Sequence, residues 1–345
     1  MLAAVFKGNG ILNLEERSVP TIEEPDQVIV KVIACGICGS DLHALHVPPG
    51  QSVTPGTIMG HEIYGEVVEK GKGAAGISIG DHVVVNPNLN CGFCNYCKRG
   101  MYNMCDMVPT HSYGQQQDGG FAPFVAIKAS SLVCFPRKVK GMVGAQTEPL
   151  ACAMSGIKKL KPSPIDNVVL YGAGPVGLLY LRCLIMYGVR NIAVLDISEY
   201  KRSWAEKCGA PVVLDPTKTD VGQYLLEIWG ELATIVIDAV GAGPVLEQGA
   251  YLMQRGGRYL IFGLDNNARS VVAPAHINVG ELQITGSFLG KFCYPDAIKM
   301  LLFNDFHAEF IVSHKLELKD IHQGLELAQA RKASRVIIYP NGFDE

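Results

Sequence analysis

The stretch from Asn167 to Asp196 restricts the possible folds more than any other part of the chain. An apolar run, Asn167-Val-Val-Leu-Tyr171, leads directly into Gly172-Ala-Gly174-Pro175-Val176-Gly177, a G-x-G-x-x-G pattern. A helix-like stretch from Gly177 to Tyr187 follows, then a second apolar run, Asn191-Ile-Ala-Val-Leu195, closed by Asp196. Alone, the glycine pattern is weak; placed between a strand signal and a helix signal it gains meaning. The first glycine permits a tight turn, the second lets the backbone approach a pyrophosphate, and the third lets helix and strand pack closely. The helix N-terminus then presents free N–H groups and a positive dipole end to phosphates. A carboxylate at Asp196 accepts hydrogen bonds from a ribose 2′-hydroxyl and repels a 2′-phosphate, which points to NAD rather than NADP. Arg202 reads as a solvated helix residue, not a phosphate clamp.

Two more apolar runs, Thr234-Ile-Val-Ile-Asp238 and Arg258-Tyr-Leu-Ile-Phe262, continue the alternation of strand and helix signals over residues 156–288. Short, wholly apolar strands separated by helices imply a parallel sheet covered on both faces. Residues 1–155 differ. They are Gly-rich, with short strand-like runs such as Gln27-Val-Ile-Val-Lys-Val-Ile33 and Glu66-Val-Val-Glu-Lys70. The tail, 289–345, ends in another strand-like run, Ser334-Arg-Val-Ile-Ile-Tyr339, which needs a sheet to join. The first region is the obvious host. The expected fold class is therefore α/β: a doubly wound Rossmann domain over 156–288, and a mostly β domain from 1–155 plus 289–345. A length of 345 residues suits two domains.

Composition removes several functions. With 48% hydrophobic and 18% charged residues, disorder is excluded. A net charge of −3 argues against a basic nucleic-acid surface, so no nucleic-acid partner is expected. No apolar run approaches the ~18 residues of a membrane span, so no membrane partner is expected. The opening MLAAVFKGNG lacks a basic head followed by an apolar block, so a cytoplasmic protein is expected. In a reducing compartment, clustered cysteines bind metal more often than they form disulfides.

Two cysteine constellations matter. Cys91, Cys94, Cys97 and Cys105 can close a tetrahedral zinc site with no open position, which makes it structural. A disulfide or iron–sulfur reading is weaker. The second set is dispersed. Cys38, Ser40, Asp41 and His43 lie in Cys35-Gly-Ile-Cys-Gly-Ser-Asp-Leu-His43, His61 and Glu62 in Met59-Gly-His-Glu-Ile63, and Glu148 in Gln146-Thr-Glu-Pro149. A catalytic zinc takes about three protein ligands and keeps one position open, and Cys, His and Glu form a suitable mixed set. Singly, each has an ordinary reading: a small core residue or an ion-paired acid. The Cys35–Cys38 pair lacks the strand and helix context of a redox motif.

In this order and spacing, the motifs resemble the zinc-dependent medium-chain dehydrogenase/reductase family over essentially the whole chain. Glu148-Pro149 is similar to the sorbitol (polyol) branch. The resemblance implies a GroES-like catalytic domain, NAD, and two zinc ions per chain, one catalytic and one structural. It implies that Cys38, His61 and an acid, either Glu62 or Glu148, hold the catalytic zinc, with Asp41 behind His61. It assigns Ser40 and His43 to a proton relay and Lys201 to the adenosine ribose. It further implies that the backbone at Phe262-Gly263-Leu264 and Ser287-Phe-Leu289 lines the nicotinamide, and that the protein is a homo-oligomer, dimer or tetramer. The implied activity is hydride transfer between NAD and a secondary alcohol (a polyol, sugar or sugar derivative) to give a ketone. A threonine dehydrogenase-like enzyme and a dehydrogenase of cyclic or hydrophobic secondary alcohols are the alternatives. The intact ligand set argues against a non-enzymatic dinucleotide-binding protein. One departure stands out: Leu45 and Leu289 occupy positions where the sorbitol branch tends to carry an aromatic residue and an arginine, which makes this pocket less polar.

Overall fold

The structure, a computed structural model, describes residues 1–343. It divides into two compact units. One comprises Leu150–Cys293 and Phe303–Ile311. Its centre is a six-stranded parallel sheet whose strands run, edge to edge, Val212–Leu214, Asn191–Leu195, Asn167–Tyr171, Ala233–Asp238, Met253–Ile261 and Gln283–Gly286. In chain order that is third, second, first, fourth, fifth, sixth, the doubly wound Rossmann arrangement. Asn167–Tyr171 is buried throughout, as a strand covered by helices on both faces must be.

The order reverses between the first and fourth strands. Ligands of such sheets bind outside the carboxyl ends at that point. The loops that leave Tyr171 and Asp238 meet there: Gly172 has φ +94°, and a Cβ on it would lie 2.9 Å from Val240 Cγ2.

The excursion Phe303–Ile311 has a clear cause. Arg182, a buried arginine of the helix Pro175–Met186, donates from Nε to Phe306 O at 2.9 Å, from Nη1 to Cys208 O at 3.0 Å, and from Nη2 to Asp305 O. A buried guanidinium must satisfy its donors, and these carbonyls do so. The chain leaves this unit at Cys293 and revisits it once before the tail.

The other unit holds Met1–Pro149, Tyr294–Leu302 and the chain from Val312 on. Its long strand Gln27–Gly36 pairs antiparallel with Glu62–Lys70, with Phe124–Lys128 and with the last strand, Val336–Tyr339. Ile337 faces Gly36 and Ile338 faces Cys35, so the tail joins the sheet of the first region. Val28, Val30 and Val32 feed the core of this unit together with Val125 and Ile127 from the neighbouring strand. No helix among the described residues is long and apolar enough to cross a membrane.

Candidate active site

The strand Gln27–Gly36 ends two residues before Cys38, which caps the short helix Gly39–Ala44. Cys38 N–H donates to Asp41 Oδ2 at 2.9 Å, so the same carboxylate that caps the helix also fixes the cysteine. Asp41 is buried, and its other oxygen lies 3.4 Å from His61 Nδ1. That approach is an electrostatic contact, not an aligned hydrogen bond. It leaves Nε2 of His61 for other work, and Ser40 Oγ stands 3.3 Å from it. Gly60 delivers His61 through a left-handed turn (φ +93°), where a Cβ would meet the Phe121 ring at 2.7 Å. No other residue fits there without movement.

One ligand atom each from Cys38, His61 and Glu62 lies within 4.8 Å of the others. Zinc bonds of about 2.0 to 2.3 Å require that kind of convergence. The charge balance also fits a cation. Burial disfavours a proton on His61, yet Asp41 and Cys38 outweigh it and hold that imidazole well above the usual histidine range. Glu148, buried in the first turn of Thr147–Leu160, is not part of the close set.

The fourth participant is one that sequence reasoning missed. Arg335, at the entry to the last strand, is fully buried and ion-pairs with Glu62 through Nη2, while Nη1 lies 3.2 Å from Glu62 Oε1 and 3.1 Å from Ile37 O. Burial works against its charge, and Glu62, Cys38 and Glu148 more than compensate, so its pKa rises. A side chain at Gly36 would collide with both Glu62 and Arg335. The available signal was an arginine inside the otherwise apolar run Ser334–Tyr339, because a charge on a core strand needs a partner.

His43 lies three residues beyond Ser40 on the same short helix, which sets both on one face. It is exposed and stacks on His46 at 5.8 Å between ring centroids.

The cysteine lobe is a second centre. Sγ of Cys91 lies 3.9 Å from that of Cys97 and 3.6 Å from that of Cys105. The edge of a ZnS₄ tetrahedron with ~2.3 Å bonds is about 3.8 Å. Backbone N–H groups of Cys97 and Asp106 pull Cys94 down to about 6, and burial pushes Cys97 up to about 12. Removing metal with a strong chelator should expose these four thiols to a thiol reagent and lower Tm by at least about 5 °C. Unchanged thiol reactivity and Tm would show that no metal holds the lobe.

In the glycine loop, Gly177 abuts the Gly172 carbonyl so closely that no Cβ fits, Gly174 caps the helix that begins with Pro175 and Val176, and Lys201 Nζ lies 3.8 Å from where a Gly174 Cβ would stand. Asp196 accepts from Ala173 N–H at 2.9 Å and Ser198 N–H at 2.8 Å. Gly263 packs against Gly241, with Leu264 exposed beyond it. Arg202 departs from its expected solvated state. Its Nη1 donates to Asp196 O at 2.8 Å and pairs with Asp215 Oδ2 at 3.2 Å, because a guanidinium on the first turn of Glu199–Lys207 reaches both strand ends.

Comparison with known proteins shows the family. The family model for the alcohol dehydrogenase GroES-like domain matches residues 24–137, and that for zinc-binding dehydrogenases matches 175–303. The erythritol/L-threitol dehydrogenase of Mycolicibacterium smegmatis is 31% identical, over 97% of this chain and 96% of its own. A zinc-binding dehydrogenase of Sinorhizobium meliloti bound to NADP superposes with TM-score 0.92 at 28% identity, covering 98% of this chain and 99% of its own. The 2R,3R-butanediol dehydrogenase of Bacillus subtilis superposes with TM-score 0.89 at 28% identity, covering 99% of each.

This chain belongs to the zinc-dependent medium-chain dehydrogenase/reductase family.

As a medium-chain dehydrogenase it is a zinc- and NAD-dependent oxidoreductase of secondary alcohols. Leu45 packs half-buried against the apolar core, and Leu289 sits at φ +58° in the segment after the last parallel strand.

Proposed function

We propose that this dehydrogenase oxidises a small, neutral diol or polyol at one secondary carbon, with Cys38, His61 and one acid as zinc ligands. The observation that carries the reading is the convergence of Cys38, His61 and Glu62, with Ser40 Oγ 3.3 Å from the inner nitrogen of His61. Zinc bound there supplies Lewis acidity, which favours loss of an alcohol proton near neutral pH. NAD supplies the hydride acceptor. The chain's own work is proton handling and positioning. Ser40 Oγ takes the hydroxyl proton, and exposed His43 passes it to solvent. Asp41 keeps His61 oriented, and Arg335 balances the buried acids. Glu62 is tied by Arg335, and Glu148 is the alternative third ligand.

An amino alcohol is less suitable, because Asp41 and Glu62 are committed to His61 and Arg335. A screen of diols, linear polyols, threonine and cyclic alcohols, read by NADH absorbance with a chelator control, tests this. Fastest turnover on threonine would overturn it. Ser40→Ala should lower kcat about 10²-fold with NAD affinity within about twofold; unchanged kcat removes Ser40 from the relay.

Gly172, Gly174, Pro175, Val176, Gly177, Asp196 and Lys201 are proposed to hold the pyrophosphate and adenosine ribose, and Gly263 and Leu264 the nicotinamide side. Asp196→Ala should raise the NADP/NAD ratio of kcat/KM at least about 10-fold, equal to ~1.4 kcal/mol. An unchanged ratio would mean that another residue reads the ribose.

We also read the protein as a cytoplasmic homodimer or tetramer. Two cysteine-bearing clusters of metal-binding type suit a reducing compartment. The strand Gln283–Gly286 closes one edge of the parallel sheet, with strongly exposed Val271 and Val279 in the preceding segment; such an edge pairs readily with a second copy.

A further inference from the structure

The turn after Val212–Leu214 carries a half-buried ion pair to which the reading above gives no role. Leu214 pairs with Leu195, and Asp196 N–H donates to Leu214 O at 3.2 Å, so Asp196 and Asp215 leave neighbouring parallel strands side by side. Asp215 is anchored independently of Arg202. Its Oδ1 accepts from Thr217 N–H at 3.1 Å and from Thr217 Oγ at 2.6 Å, and Lys218 lies 3.6 Å from Oδ2. The Thr217 hydrogen bonds hold its carboxyl below the usual aspartate range. Arg202 comes to this fixed anion from the neighbouring helix. Its side chain is 17% exposed and that of Asp215 10%. The guanidinium ends against the main-chain carbonyl of Asp196, the residue whose carboxylate faces the glycine loop at Ala173.

We propose that Asp215 is a coenzyme-specificity residue, which tethers Arg202 behind Asp196 and so withholds that guanidinium from a ribose 2′-phosphate. The inference rests on the reading of Asp196 as the ribose acid. A guanidinium is the side chain best suited to grip a phosphate, through paired N–H donors, and an arginine near this position is how the fold accommodates NADP. Arg202 Nη1 already lies 2.8 Å from the main-chain carbonyl of Asp196, on a flexible three-methylene stem. Discrimination thus has two layers. Asp196 repels the 2′-phosphate, and Asp215 keeps the nearby cation turned away from it.

The test is the NADP/NAD ratio of kcat/KM, measured on the zinc-loaded enzyme with one alcohol. The proteins are wild type, Asp196→Ala, Asp215→Asn, the double variant, and the double variant with Arg202→Met. Asn keeps an acceptor for Thr217 but turns a donor toward the guanidinium, which releases it. Asp196→Ala should raise the ratio about 10-fold. Asp215→Asn alone should raise it less than about threefold, because Asp196 still repels. The double variant should exceed Asp196→Ala by at least a further factor of about 10, and Arg202→Met should abolish that extra gain. If Asp196→Ala raises the ratio and the double variant goes no further, the tether is wrong while the ribose reading stands. If the extra gain survives Arg202→Met, the tether is wrong for another reason: the gain does not come from the guanidinium. If Asp196→Ala itself leaves the ratio unchanged, the ribose reading fails and the tether with it. Tm within a few degrees of wild type confirms that each variant folds.

Discussion

His61→Ala lowers kcat/KM by at least about 10³-fold, roughly 4 kcal/mol of transition-state stabilisation, and reduces bound zinc from two per chain to one. The size of the effect follows from what remains. Cys38 is held by the Asp41 cap and Glu62 by Arg335, so neither can move to close the gap left by the imidazole. One sulfur and one carboxylate are too few protein ligands to hold zinc tightly. The sheet around the site should persist, because Cys91, Cys94, Cys97 and Cys105 are untouched and Gly60, not His61, shapes the turn. Metal analysis and steady-state kinetics on the same preparation check the prediction. Two zinc ions per chain with undiminished turnover would remove His61 from the metal centre.

Arg335→Met is expected to destabilise the protein by about 3–5 kcal/mol, because it leaves the Glu62 carboxylate buried without its cation. For a unit of this size that is a fall in Tm on the order of 10 °C. Two signatures separate this from ordinary damage to the core. Replacing both partners, Arg335→Met with Glu62→Leu, should restore most of the loss, since a buried pair exchanged for apolar groups is often neutral. The single variant should also lose more stability after chelation than with metal present, because bound zinc gives Glu62 a second partner. Thermal unfolding of the single and double variants, with and without chelator, reads both. An equal loss in the Glu62→Leu background would show that Arg335 acts by filling space.

Much of the site was legible because its chemistry is local. The glycine loop is read from six consecutive residues, and the cysteine lobe from one short segment. Cys38, Ser40 and Asp41 lie on one helical turn, and His61 and Glu62 are adjacent. Arg335 was not legible. Its partner is 273 residues away, and only the pairing of Ile337 with Gly36 brings the last strand beneath the ligands. Arg202 was misjudged for the same reason. A helix position suggests solvent, until a parallel strand places Asp215 beside it. The return of Phe303–Ile311 to the parallel-sheet unit depended on Arg182 gripping carbonyls from a segment more than a hundred residues away.

By itself the sequence determined the Rossmann unit, the second β-rich unit that recovers the chain's tail, and most of the side chains that the two cysteine-bearing clusters bring together. These depend on side-chain type and spacing over a few residues, where the backbone period leaves little choice. Only the tertiary structure decided which charges are neutralised: Glu62 by Arg335, Arg202 by Asp215. Ion pairing in a protein interior depends on which strands become neighbours, and strand pairing is settled by the folding of the whole sheet.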